Sequence, residues 1–441
     1  MQVLQAYKFA LDPSDRAARA LGSHVGARRF AFHWGLALVK ERLDARSRGE
    51  SVEVPWSMPA LRREWNRAKA EAAPWWEENS KEAYSAGLDG LAQALRNWSQ
   101  SRRGKRKGRR MGFPRFRKRG RGRESVRFTT GAIRVDDKSH VVLPRIGRVR
   151  TQEPTTALLA RVEAGTARLV SATVCREGGR WFVSFTCEVE RAARAQCPRQ
   201  PDAVVGVDAG VCNLAVLSTG EVVPAPRPLR RAERRIARCN RRLARRQAGS
   251  RNREEAKAAL RRAHARVAHI RQDVLHKLTT HLATTYGTVV VEHLNVSGMA
   301  RGRLAKSVYD AGMAGIRRQL RYKHVWYGGE LVEASVHYPS SKRCSACGAV
   351  KADLPLWERT YRCEACGMVL DRDLNASHNL AALAALAAAV AGSGPETQNA
   401  RGGDVRPGAA GQTSGKREAG MEAMRLGSGR RLCPVTSGCK T

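Results

Sequence analysis

Four cysteines near the end of the chain have the types and spacing of metal ligands. Cys344 and Cys347 form one C-x2-C pair, and Cys363 and Cys366 form a second pair after fifteen intervening residues. Each pair can turn tightly enough to aim two thiolates at one tetrahedral ion, which is the arrangement of a structural zinc ribbon. Four unrelated buried cysteines are the alternative, but the spacing favours zinc.

Three carboxylates stand where they could serve a different metal chemistry. Asp208 and Glu292 each end an apolar run typical of a buried strand, and Asp373 lies in the motif D-R-D-x-N-A just after the second cysteine pair. An acid at a strand end is more often a cap or a turn residue. Taken together, however, the order Asp, Glu, Asp and the separations of 84 and 81 residues predict an RNase H-like arrangement.

Such an arrangement clamps two divalent ions between its carboxylates. One ion activates water and the other stabilises the leaving oxygen of a phosphodiester. Carboxylate and water ligands suit Mg²⁺ or Mn²⁺ better than zinc. Asp373 is preferred over its neighbour Asp371 because it is the acid of the D-x-N-A segment, and Asp371 stays as a second candidate.

The elements that must position these residues follow from periodicity. Alternation over about 1–10, a helical pattern to about 98 and strand patterns from 126 to 187 predict a small β-rich domain with a helical insertion near its start. Residues 198–202 resemble a linker. Residues 229–282 are helical in period and dense in arginine, which favours a phosphate-facing helical hairpin over a solvated helix pair.

A basic block separates the predicted helices from the later strands. Residues 102–123 contain thirteen Lys or Arg and no acid, so this segment must be a solvated loop or follow a phosphate backbone. Phe113 and Phe116 could stack on bases or anchor the loop. The residues predicted to contact nucleic acid are Arg102, Arg103, Lys105, Arg106, Lys107, Arg109, Arg110, Arg115, Arg117, Lys118 and Arg119.

Composition points to a polyanionic partner. The 441 residues carry a formal net charge of +40, which favours nucleic acid. A membrane partner is disfavoured because no apolar stretch of about 18 residues occurs. The N-terminus lacks the pattern of a signal peptide, so a cytoplasmic location is expected. Residues 393–441 are rich in Gly, Ser and Arg, which predicts a disordered basic tail.

Several motifs closely resemble the TnpB (OrfB) proteins carried by bacterial insertion sequences. The likeness extends over about residues 1–385. Its strongest parts match the RuvC-like nuclease and zinc ribbon of that family, and they are residues 204–218, 289–299, 338–348 and 363–376. Shorter N-terminal likenesses occur at 7–11, 26–34, 112–116 and 143–147.

The resemblance implies more than the spacings do. It implies an RNA-guided DNA endonuclease, in which a guide RNA from the transposon 3′ end pairs with double-stranded target DNA. Asp208, Glu292 and Asp373 would then be the catalytic metal ligands. It also implies an α/β multidomain fold: a wedge-like β-barrel over 1–197 with a helical recognition insert (about 13–100), then a RuvC-like domain over 198–392 with its ribbon at 340–370.

Two other functions use the same features. A transposase could carry out strand transfer with the same fold and acids, and a binding-only protein could act as a guided repressor. The intact set of three acids disfavours the repressor. Double-strand cleavage that depends on the element's own transcript, without end joining, would separate the nuclease from the transposase.

Overall fold

The computed structural model describes residues 2–106, 108–116, 124–129, 132–191, 198–355 and 357–392. The chain divides into two compact units, Met1–Ala384 and Ala385–Thr441. Side chains are described only in the first unit. The predicted tail at 393–441 lies outside the described residues. So do Lys107, Arg117, Lys118 and Arg119 of the basic block.

An antiparallel sheet with a helical layer forms the N-terminal part. Its elements are β1 (Gln2–Asp12), α1 (Asp15–Ser47), α2 (Met58–Ala72), a 3-10 turn (Trp76–Glu78), α3 (Lys81–Arg102), β2 (Glu124–Phe128), β3 (Arg134–Val135), β4 (His140–Leu143), β5 (Gly147–Thr151), α4 (Thr156–Glu163), β6 (Ala167–Glu177) and β7 (Arg180–Glu190). The strand order is β2-β6-β7-β1-β5-β4-β3. The helices α1 to α3 lie between β1 and β2, at the position of the predicted insertion.

Sequence alternation explains why this sheet has one core face. In β7, Trp181, Val183, Phe185, Cys187 and Val189 are buried and alternate with less buried residues, as the period of two in a strand requires. Helices α1 and α2 begin at side-chain caps, since Ser14 and Ser57 accept backbone N–H bonds there. Among the described residues, the edge strands β2 and β3 do not pair, so closure into a barrel stays a prediction.

A second, mixed sheet forms the C-terminal part of the first unit. Its elements are β8 (Gln200–Asp208), β9 (Asn213–Leu217), β10 (Val222–Pro224), α5 (Pro228–Ala244), α6 (Arg251–Thr285), β11 (Tyr286–Glu292), α7 (Val296–Met299), α8 (Ala305–Ala311), α9 (Met313–Tyr327), β12 (Glu330–Ala334), β13 (Thr360–Arg362), β14 (Val369–Asp371) and α10 (Arg372–Gly392). The five main strands follow the order β10-β9-β8-β11-β12. Strands β8 to β10 are antiparallel, whereas β11 and β12 run parallel to β8.

Helices cover both faces of this sheet. Val289 and Val291 of β11 belong to a core shared with α6 and α9, while Val290 between them packs with Leu380 of α10. Strands buried on both faces read as continuous apolar runs, which is why the segments before Asp208 and Glu292 are so apolar. The parallel pairing brings both strand ends to one edge of the sheet.

Two local expectations have different outcomes. The prediction of a linker at 198–202 is wrong, because β8 already begins at Gln200 and pairs with Tyr286 there. The polar composition of the segment concealed this pairing. The arginine-rich stretch does form a helical pair, α5 and α6, joined by a small apolar contact of Ile236 with Ala263 and Val267.

In the part of the chain that the structure describes, no helix combines the length and apolar character needed to cross a membrane.

Candidate functional site

The mixed sheet brings the three predicted carboxylates to one place. Val207 of β8 pairs with Val291 of β11, so Asp208 and Glu292 occupy matching positions at neighbouring strand ends. Asp373 lies in the first turn of α10. That helix packs directly on β8 at Gly206, where an added Cβ would lie 1.9 Å from the Ser377 backbone oxygen.

Electrostatics shows that the three carboxylates interact. Burial raises the pKa of Asp208 well above its ordinary value, and the nearby charges of Glu292 and Asp373 raise it further. Burial also raises the pKa of Glu292 and of Asp373. Carboxylates that are desolvated and repel one another favour either protonation or a bound cation.

Three protein groups partly compensate this negative charge. The charge of Arg372 lowers the pKa of Asp208 and of Glu292. The Ser340 hydroxyl donates a hydrogen bond to Oε1 of Glu292. Arg359 Nη1 lies 3.3 Å from Asp373 Oδ1, and its Nη2 donates to the Cys212 sulfur at 3.0 Å. Sequence reasoning missed Ser340 and Arg359. Ser340 lies within the 338–348 motif, which offered a signal, whereas nothing in the sequence marks Arg359.

Asp371 has a different role from Asp373. Its Oδ1 accepts hydrogen bonds from the backbone N–H groups of Asp373 at 2.9 Å and Leu374 at 3.0 Å. This is the geometry of a helix N-cap, and the side chain is exposed. Asp371 therefore starts the helix that carries Asp373.

The four cysteines form a separate cluster. Their sulfur atoms all lie within 4.8 Å of one another, as ligands to one ion require. The two knuckles have the same internal bonds: Gly348 N–H donates to the Cys344 carbonyl and Gly367 N–H to the Cys363 carbonyl, both at 3.0 Å. Both glycines have positive φ, 79° and 72°. Backbone N–H groups, first that of Cys366, lower the pKa of Cys363 to about 6.

Buried amides join this cysteine module to α10. Asn375 accepts from Ser345 N–H at 2.9 Å and donates to the Arg343 carbonyl at 2.7 Å. One turn later, Asn379 donates to the carbonyls of Ser340 and Arg343. The asparagine of D-R-D-x-N-A thus fixes the module beside the acids.

The basic block begins where α3 ends. All of its described Lys and Arg residues are exposed. Phe113 packs edge-on against Trp98, with ring centroids 5.0 Å apart, so it anchors the segment. Phe116 is 51% exposed and contacts His33 and Lys40.

Comparison with protein families gives three matches. A family described as "Probable transposase" (OrfB of IS605 type) matches residues 184–303, and a Cas12f1-like TNB domain matches 314–380. A family described as a helix-turn-helix domain matches 1–48. In this structure those last residues form strand β1 and the single helix α1.

Curated relatives cover most of the chain. A protein of Mycobacterium tuberculosis strain H37Rv, named "Putative RNA-guided DNA endonuclease", is 40% identical over 399 residues and covers 86% of each chain. A Streptomyces pristinaespiralis protein of the same name is 34% identical over 410 residues, covering 91% of this chain and 95% of its own. The solved structure of a Cas12f1–sgRNA–target DNA complex aligns with a TM-score of 0.48 at 12% identity, over 86% of this chain and 99% of that one.

Proposed function

The chain belongs to the TnpB (OrfB) family of transposon-encoded RNA-guided nucleases, and on that premise we propose that it cuts DNA with Asp208, Glu292 and Asp373 in an RNase H-like, RuvC-like domain. The observation that supports this proposal is geometric: Asp208 and Glu292 occupy matching positions at neighbouring strand ends, and Asp373 lies in the first turn of the helix that packs on β8. Burial, and then the nearby charges of Glu292 and Asp373, raise the pKa of Asp208 well above its ordinary value. A group of acids assembled at such a cost in free energy suits cation binding.

The carboxylates would hold two Mg²⁺ or Mn²⁺ ions. Bound there, the ions would activate a water and stabilise the leaving oxygen of a phosphodiester. The Ser340 hydroxyl orients the Glu292 carboxylate by donating to one of its oxygens. Arg359 neutralises part of the Asp373 charge. Gly206 permits the close contact of α10 with β8 that brings Asp373 to the two strand ends.

The partners would be a guide RNA from the transposon 3′ end and a matching double-stranded DNA. The net charge of +40 supports a large polyanionic ligand. The Lys and Arg side chains that the structure describes in the basic block, within 102–106 and 108–116, are exposed at the end of α3 and could contact phosphates. Charge reversal in this block should weaken RNA affinity and reduce the dependence of that affinity on salt.

The four cysteines would bind one structural zinc ion. Thiolates at mutual distances below 4.8 Å fit the tetrahedral coordination that zinc prefers. The hydrogen bonds of Asn375 and Asn379 to this module support a positioning role: the folded ribbon would hold α10, and therefore Asp373, beside the strand ends.

Strand transfer is the second candidate, favoured by the family description "Probable transposase". It uses the same acids but joins ends instead of releasing them. Incubating the purified protein with its own 3′ transcript and a matched target separates the two reactions. RNA-dependent double-strand cuts without joined products support the nuclease, and joined products support the transposase.

The site assignment is tested by paired substitutions. Asp208→Ala and Asp373→Asn should each reduce the cleavage rate by about 100-fold or more, the scale at which removing one electrostatic stabiliser acts. Binding of RNA and DNA should be nearly unchanged. Asp371→Asn is the matched control, because asparagine also caps helices well. Full activity of Asp373→Asn, or equal losses at 371 and 373, would contradict the assignment.

A further inference from the structure

A cleft lies beside the carboxylates but contains none of them. Its volume is about 550 Å³, and its lining residues come from the loop after β8, the end of β10 and the start of α5: they are Cys212, Pro224, Ala225, Arg227, Arg230 and Arg231. The proposed reaction leaves these residues without a role.

The arginines of the cleft form no ion pair within the described part of the chain, although Glu233, which pairs with Lys306, lies near enough to feel the charge of Arg230. In the described part of the chain, Arg227, Arg230 and Arg231 have no carboxylate oxygen within 4.0 Å of their guanidinium nitrogens. The nearby Asp310 carboxylate is occupied elsewhere, since it accepts from the backbone N–H groups of Leu229 and Arg230. Exposed guanidiniums with no acidic partner are suited to phosphate oxygens.

Arg227 constrains one wall of the cleft through its backbone conformation and one hydrogen bond. Arg227 has φ 44° and ψ 50°, a left-handed conformation that is uncommon for a residue with a side chain. Its Nη2 donates to the Cys212 carbonyl at 3.2 Å. This bond ties the start of α5 to the loop that follows Asp208. Backbone strain of this kind tends to occur at binding and catalytic sites.

One arginine joins the cleft to the carboxylates. Arg359 contacts the Cys212 sulfur with Nη2 and the Asp373 carboxylate with Nη1. The Cys212 side of the cleft therefore adjoins Asp373, with the Arg359 guanidinium between them. A strand that enters the carboxylate site can continue into the cleft past this guanidinium.

We propose that this cleft is a substrate subsite for the DNA strand being cut, and the proposal rests on the nuclease function above. Arg230 and Arg231 bind a phosphate next to the scissile one, while Pro224 and Ala225 offer an apolar surface to the deoxyribose. The acids repel a phosphate until cations are bound. Binding energy gained at a neighbouring phosphate therefore holds the strand in place for the reaction.

The first experiment measures whether a DNA strand occupies the cleft, and it does not depend on cleavage. Cys212 is exposed and lines the cleft, so a bound strand should shield its thiol from iodoacetamide. In full-length protein without added Mg²⁺, a single-stranded thymidine tetranucleotide should slow alkylation of Cys212, measured by peptide mass spectrometry. Arg230→Gln combined with Arg231→Gln should abolish this protection.

Arg241→Gln combined with Arg242→Gln is the matched control. It removes the same charge from the other end of the same exposed helix, and it should keep the protection of Cys212. Equal protection in both double variants, or equal loss, would overturn the subsite. Protection by a uridine tetranucleotide but not by its DNA counterpart would also overturn it, because the occupant would then be RNA.

The second experiment locates the phosphate. Methylphosphonate linkages that remove the charge of one phosphate at a time are placed within two nucleotides of the cut. For the RNA-loaded wild type, one position should reduce the cleavage rate about 10-fold, the loss expected for one charge-assisted hydrogen bond. The Arg230/Arg231 variant should no longer respond at that position. If the Arg230/Arg231 variant responded to the same methylphosphonate as the wild type does, the subsite proposal would be contradicted. If the wild-type protein never cut DNA but the oligonucleotide still protected its Cys212, the nuclease function would be contradicted and the subsite would not.

Discussion

The two candidate metal centres of this chain are built in opposite ways. The cysteine cluster takes all its ligands from residues 344–366, and each knuckle closes on its own backbone bonds. The carboxylate cluster takes its members from residues 208–373, on two strands and a helix that meet only in the folded protein. One centre is local, and the other is assembled by the tertiary fold.

The difference also appears in their electrostatics. In the cysteine cluster the shifts are opposite: backbone N–H groups lower the pKa of Cys363, whereas contacts with the other cysteines outweigh the Met368 N–H and raise the pKa of Cys366 to about 12. In the carboxylate cluster burial raises the pKa of all three acids, and their mutual charges add to the shift of Asp208. Packing must therefore hold the carboxylates together in the absence of metal, which makes contacts such as Gly206 on α10 as important as the acids.

The largest expected effect comes from breaking that packing. Gly206→Ala places a methyl group against the Ser377 backbone, so the free energy of unfolding should fall by about 3 kcal/mol or more, measured by urea denaturation. Cleavage should fall with it, while zinc content should stay at one per folded chain. Gly22→Ala, at an open helical position, should instead add up to about 1 kcal/mol. A neutral Gly206→Ala would show that α10 does not need this contact.

The cysteine cluster should lose its metal when one of its ligands is replaced. Cys344→Ser removes one of four thiolates. Loss of a residue that only supports a metal ligand reduces affinity by up to about 100-fold, so loss of a ligand itself should reduce zinc affinity by more than that. Metal analysis by mass spectrometry measures it, with Cys239→Ser as the control outside the cluster. If the Cys344→Ser protein retains one zinc per chain, the cluster is not a four-thiolate site.

The assembled site should respond to pH and to magnesium. The pKa of Asp208 is raised in the folded state, so the folded protein binds this proton more tightly than the unfolded chain does. Stability should then decrease as the pH rises from about 4, the pKa of an unperturbed Asp, through the raised pKa. Asp208→Asn removes this loss of stability. Without magnesium, the free energy of unfolding of the variant minus that of the wild type should therefore be larger at pH 8 than at pH 5.

Magnesium provides the complementary measurement on the same two proteins. At 100 times its Kd, Mg²⁺ should stabilise the wild type by about 2.7 kcal/mol, seen as a rise in Tm. Asp208→Asn should bind it more weakly and gain less. Equal gains in both proteins would place the magnesium elsewhere.

The smallest effect is expected at Arg359. Its ion pair with Asp373 is half exposed on the arginine side, so Arg359→Gln should cost less than about 1 kcal/mol of unfolding free energy. The pKa of Asp373 should rise further, because Arg359 lowers it in the wild type. NMR titration of the carboxyl group measures this shift, and an unchanged pKa would mean that the pair does not persist in solution.

How far the sequence could predict this molecule follows from the same contrast. The cysteine spacing reveals a cluster because its geometry is local. The apolar runs before Asp208 and Glu292 predict strands whose ends carry acids, and alternation predicts six of the seven strands of the first sheet, all except β5. Alternation does not predict which strands pair, so Gln200, whose pairing with Tyr286 forms only in the folded protein, falls in the predicted linker. The role of Arg359 could not be predicted from the sequence, because its partners Asp373 and Cys212 lie 14 and 147 residues away along the chain.

The hydrogen bonds of Asn379 and Ser340 give the two centres a common dependence. The Ser340 hydroxyl donates to Glu292, and the Ser340 carbonyl accepts from Asn379. Asn379 lies one helical turn after Asn375, whose side-chain amide holds the cysteine module. If the cysteines bind zinc and the acids bind magnesium, as proposed, a chelator selective for thiol-bound metal would reduce a carboxylate-based activity without contacting the carboxylates. In a cell starved of zinc, such a protein would then lose its activity while magnesium remained plentiful.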